Sequence, residues 1–135
     1  MTTTRSPQAC DEAQLRQLIA DQLSAICVKD PDRLMHHYAA DVIVFDVKPP
    51  FQTEGADAWR RTWEACLAYF PDAFQTERRD LSLTVSGDLA LAHWLWRFTG
   101  REKDHPAMQT CMRSTAGYWR IRGRWQTVPE HASVS

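Results

Sequence analysis

The run YAADVIVFDVKPPFQTEGADAWRRTW, Tyr38 to Trp63, constrains the fold more than any other stretch of this chain. It leaves a helix end, enters a short apolar strand that closes on a carboxylate, Asp46, and meets two prolines before an acidic turn opens a tryptophan-rich helix. Strand side chains alternate, so Val42, Val44 and Asp46 share one face and Ile43, Phe45 and Val47 the other. Apolar residues on both faces predict burial on both sides. A carboxylate is costly there unless it is paired or works as a base. Pro49-Pro50 cannot continue a central ladder, so the strand ends at Val47.

The remaining elements follow from periodicity. Ser6-Pro7 leads into a first helix over about Asp11 to Cys27, with Leu15, Leu18, Ile19, Leu23 and Ile26 at helical spacing. Asp30-Pro31 supplies an N-cap and a first-turn proline for a short second helix ending near Tyr38. A third helix, about Ala56 to Phe70, puts Trp59, Thr62, Trp63, Cys66, Leu67 and Phe70 on one side. Four strands follow, near Phe74–Val85, Leu89–Thr99, Met108–Arg120 and Trp125–Val134, separated by Ser86-Gly87-Asp88, the polar REKDHP stretch and Arg122-Gly123. This pattern predicts an α+β fold in one domain, residues 1–135, with three N-terminal helices packed on a curved antiparallel β-sheet.

Composition removes several function classes. With 16 basic and 17 acidic residues the net charge is -1, which leaves no electrostatic footprint for nucleic acid or an anionic membrane. No apolar run approaches the ~18 residues of a membrane span, and MTTTRSPQACDEAQ lacks the apolar centre of a signal peptide. The expectation is a cytoplasmic protein. Cys10, Cys27, Cys66 and Cys111 are scattered, as idle thiols in a reducing compartment would be. His36, His37, His93, His105 and His131 form no HExxH or related ligand spacing, so neither a metal nor another cofactor is expected.

Four positions could carry chemistry. Asp46 is either a strand-end acid, solvated or paired with a neighbour such as Lys48, or a pocket base. Gln22 lies within the apolar stripe of the first helix, where its amide must find partners or line a wet cavity. In VPEHASV, Glu130 and His131 alternate, so one of them points inward, and a bulge at Pro129 would decide which. His131 is the candidate acid, base or hydrogen-bond donor. His93 shares a strand face with Leu91 and Leu95 and is either a core histidine or a ligand contact. Trp94, Trp96 and Phe98 form an aromatic row suited to core, pocket or subunit interface.

The opening segment, with GDLALAHW and TAGYWRIRGRW, resembles the ketosteroid-isomerase-like branch of the nuclear-transport-factor-2-like superfamily, and more closely its SnoaL-like, polyketide-cyclase-like members. The resemblance implies a cone-shaped half-barrel with an internal pocket, and sheet-to-sheet homodimers in which part of the aromatic row takes part. It puts Asp46 at the position of the proton-abstracting carboxylate, which would act on carbon next to a carbonyl. The tyrosine that holds the enolate in that branch falls at Gln22. The late-strand acid falls near Thr115, or at Ser114 if the alignment slips by one. The expected site is therefore Asp46 and His131 as catalytic groups, with Gln22, Tyr38, Trp63, His93 and Thr115 contacting a small apolar or polycyclic carbonyl compound. The rival expectation is a non-catalytic binding or association module of the same fold.

Overall fold

A computed structural model describes residues 7–134. Helix α1 (Pro7–Cys27) starts earlier than its apolar stripe suggests; Ser6 lies outside the described residues. Helix α2 (Pro31–Met35) is capped as expected, the Asp30 carboxylate accepting the Arg33 N–H at 3.1 Å. Strand β1 (Tyr38–Phe45) begins where helix α2 had been expected to end. A two-residue strand, β2 (Thr53–Glu54), then precedes α3 (Ala56–Tyr69). The meander consists of β3 (Gln75–Ser86), β4 (Leu89–Thr99), β5 (Cys111–Ile121) and β6 (Arg124–Val134), with a 3-10 turn at Pro106–Gln109.

The six strands form one sheet in the order β2-β1-β6-β5-β4-β3. The α+β class and the meander are as expected, but the sheet is mixed, because β1 pairs parallel to β6. Only a crossover that carries the chain past the whole meander can produce that pairing. The three helices pack on one face and bury Leu15, Ile19 and Ile26 of α1, Leu34 of α2, and Trp59 and Leu67 of α3. Arg120 fastens the start of α1 to the sheet. Its guanidinium reaches Asp11 at 2.6 Å and Asp88 at 2.9 Å while stacking over Trp125, 4.6 Å from the ring centre.

Two expectations about faces change. Trp94, Trp96 and Phe98 are buried and turn toward the helices, so this row belongs to the interior and not to a subunit interface. The other face of the same strand carries Leu89 and Leu91, 53% and 51% exposed. Likewise β1 is buried on one face only: Val42 and Val44 are enclosed, whereas Phe45 is 44% exposed.

The phase of β6 sets the site. Tyr118 pairs with Thr127, yet Ala116 pairs with Glu130, so Val128 and Pro129 together oppose Gly117. Strict alternation from the buried Trp125 and Thr127 would turn Pro129 and His131 inward. The extra residue inverts the phase and turns Glu130 and Ala132 inward instead. Gly117 makes room for this bulge, because a Cβ there would lie 2.8 Å from Pro129 Cγ.

Candidate functional site

Between the helices and the inner sheet face lies a cavity of about 310 Å³. Helix α1 lines it with Ile19, Gln22 and Ile26, and α3 with Trp59, Trp63, Cys66 and Phe70. The floor is Trp94, Trp96 and Phe98 of β4 with Ser114 of β5 and Glu130 of β6, and the segment Asp46–Lys48 forms part of the rim. The rings interlock at edge-to-face angles: Trp59 and Trp63 are 5.8 Å apart, Trp96 and Phe98 5.0 Å, and Phe70 and Phe98 4.6 Å.

Two carboxylates face this apolar space. Glu130 is held by Tyr38, whose hydroxyl donates to Oε1 at 2.9 Å and Oε2 at 3.0 Å. Burial pushes the Glu130 carboxyl up to about 7; the Tyr38 hydrogen bond opposes this, and the negative charge of Asp46 adds to it. Tyr38 is driven well above its ordinary range by the same burial and by the Glu130 charge. Asp46 lies just past the end of β1, half-buried. Its Oδ1 accepts the Val47 N–H at 2.7 Å, and among the described residues it has no ion pair, with Lys48 or any other cation. The desolvated carboxyl group expected at Asp46 is found at Glu130 instead, itself partly exposed.

The cavity thus gathers Asp46, Gln22, Tyr38 and Trp63. It does not include His131, Thr115 or His93. Pairing places these three in one row across β6, β5 and β4, with Phe45 at its end, and all are exposed on the outer face. His131 is outward because of the bulge. Thr115 is outward because its neighbour Ser114 pairs with Trp94 and faces in, where its hydroxyl accepts the Trp96 indole N–H at 2.8 Å. His93 takes the face opposite Trp94. Sequence reasoning leaves open which of Glu130 and His131 faces inward and puts His131 forward as the candidate; the bulge at Val128 and Pro129, opposite the small Gly117, turns Glu130 inward.

Several donors in the cavity wall lack partners within the described residues: the Gln22 amide nitrogen and the indole nitrogens of Trp63 and Trp94. No group of three His, Cys, Asp or Glu side chains converges among the described residues. No described helix is long and apolar enough to cross a membrane. The arrangement can enclose a compact apolar molecule and offer it one carboxylate at the rim and one carboxyl group that titrates near neutrality.

The family model for the SnoaL-like domain matches residues 15–135. Among solved structures the chain is similar to an NTF2-like protein of unknown function from Pseudomonas putida KT2440, with 35% identity over 93% of this chain and 87% of that one and a TM-score of 0.84. It is also similar to a candidate dehydratase of the NTF2-like family from Streptomyces avermitilis (20% identity, 96% and 99% covered, TM-score 0.77). A third is the hexachlorocyclohexane dehydrochlorinase LinA-type3 from Novosphingobium barchaimii LL02 (15%, 95% and 88%, TM-score 0.77). At such low identity the last two show the fold alone. No curated protein matches the chain.

Proposed function

The chain belongs to the SnoaL-like domain family, and from its cavity we propose that it moves protons on a small apolar carbonyl compound, with Asp46 as base and Glu130 as the partner acid. The observation that carries this reading is Glu130: a carboxyl group in an apolar cavity, bonded to Tyr38 and titrating at about 7 beside a second carboxylate. A carboxyl group that titrates near neutrality can supply the acid of such a pair, with a neighbouring carboxylate as the base.

In the proposed step Asp46 takes a proton from the carbon next to the carbonyl. The electron pair of that C–H bond moves toward the carbonyl oxygen, where protonated Glu130 donates a hydrogen bond to the forming enolate. Return of the proton to a different carbon gives isomerisation; departure of a leaving group from the neighbouring carbon gives elimination. The dehydratase and dehydrochlorinase labels of two structural neighbours are in keeping with the second course. The resemblance puts Gln22 at the position of the tyrosine in the related isomerases, and its amide nitrogen, without a partner among the described residues, is a second donor for the oxygen. A volume at the low end of the ~300–1,000 Å³ typical of ligand sites favours a compact ring compound over a large polycycle.

The rival reading, a binding module without turnover, is favoured by the lack of a tyrosine at 22 and of an acid at 114 or 115. Deuterium uptake into a panel of cyclic ketones, run beside thermal-shift titration with the same panel, separates the two. Uptake that falls by ~10²–10⁴ in Asp46→Asn supports proton transfer. Ligands that raise the melting temperature without any uptake leave the binding module standing.

A further inference from the structure

An open cleft of about 550 Å³ runs between α1 and the edge strand β3. Leu23, Ala20 and Phe74 supply apolar walls, and Ser24, Thr76 and Arg78 supply polar ones. Thr76 and Arg78 pair with Phe98 and Trp96, so both side chains lie on the inner sheet face, under α1.

Arg78 is anomalous there. It is half-buried, its NH1 nitrogen is enclosed without a hydrogen-bond partner, and among the described residues it has no ion pair. The acids that could have served it are committed elsewhere. Glu77 is on the opposite face, bonded to Arg97 at 3.1 Å. On α1, Asp21 holds Arg33 at 2.6 Å and His37 at 2.8 Å, and Asp11 holds Arg120. Burial lowers the Arg78 proton affinity, the charge of Arg16 lowers it further, and Tyr118 opposes both. An enclosed guanidinium without a counter-charge is costly, and arginine's planar fork of donors matches a carboxylate or phosphate.

We propose that this cleft is a second binding site, for a small molecule carrying a carboxylate or phosphate group that Arg78 receives. The Thr76 and Ser24 hydroxyls stand in the same cleft to donate to the remaining oxygens, and Leu23, Ala20 and Phe74 accept a short apolar tail. Leu23 also lines the main cavity, so the two sites share a wall. This inference does not depend on the proton-transfer reading.

The test is a backbone-amide NMR titration of the full chain with two probes, inorganic phosphate and hexanoate. Saturable shifts of the Ser24 and Thr76 amides are expected with at least one probe, weakened tenfold or more in Arg78→Gln. Retention of phosphate but not hexanoate affinity in Arg78→Lys would identify the carboxylate as the group read by the fork. Ser24→Glu, on an exposed turn of α1, places a carboxylate in the cleft and is expected to abolish the shifts even if Arg78→Gln folds poorly. No saturable shift at these amides with either probe overturns the proposal, as does unchanged affinity in Arg78→Gln or Ser24→Glu.

Discussion

Glu130 is the residue whose protonation should be visible in the stability of the whole protein. Its carboxyl titrates at about 7 in the fold against an ordinary value of 4.5, so between those values the folded state holds a proton that the unfolded chain has released. Stability contributed by this group is therefore present below about 4.5 and is lost as pH rises to about 7, at up to about 1.4 kcal/mol per pH unit. Denaturant melts across that window should show the decline in the wild type and a flatter profile in Glu130→Gln. The same variant should remove the limb of any activity profile that reports a group titrating near 7. Asp46→Asn is expected to leave stability within about 0.5 kcal/mol, since Asp46 is half-buried and among the described residues has no cationic partner to strand. A loss of several kcal/mol in that variant would mark Asp46 as structural. Asp46 was legible in the sequence because a carboxylate closing an apolar strand is unusual in itself. Glu130 was legible only as an alternative to His131, because which of them turns inward depends on one residue of slack elsewhere in the strand.

At the scale of elements, local pattern and long-range pairing separate cleanly. Helices α1 and α3 and the four meander strands follow from side-chain periodicity, the cap of α2 follows from Asp30-Pro31, and the hairpin turns follow from Gly87 and Gly123. The parallel seam between β1 and β6 leaves no local mark, because nothing in VIVF specifies which distant strand it will meet. The face of each residue is legible only up to a bulge. Past Val128 and Pro129 every assignment inverts, so His131 exchanges places with Glu130, and a second irregularity between Arg79 and Ser82 does the same on β3. The β6 bulge rests on the missing side chain of Gly117. Gly117→Ala should force its Cβ against the Pro129 ring and cost about 1–3 kcal/mol in denaturant melts. If it is silent, the bulge is not held by that contact. In the paired variant Gly117→Ala, Pro129→Ala most of the loss should return.

For the whole molecule, the outer sheet face is the unfinished surface. Phe45, Leu89, Leu91 and Trp119 are each 44% exposed or more, and His131, Thr115 and His93 run between them. We expect this face, and not the inward aromatic row, to pair two copies in an isologous dimer burying on the order of 1,600 Å². Light scattering at micromolar concentration should give twice the chain mass for the wild type and a monomer for Leu91→Arg; a monomeric wild type would refute it. The strand that carries Glu130 to the cavity thus carries His131 to that outer face, and the two differ by a single step along the chain. Losing Val128 alone would remove the surplus residue and leave Glu130 opposite Ala116, still facing the cavity, because alternation from Thr127 then turns Pro129 outward and Glu130 inward. Losing both Val128 and Pro129 would instead bring His131 opposite Ala116 and turn an imidazole into the cavity and a carboxylate outward, so the spacing of the chain, counted in odd or even steps, sets the chemistry of the pocket with no residue altered in identity.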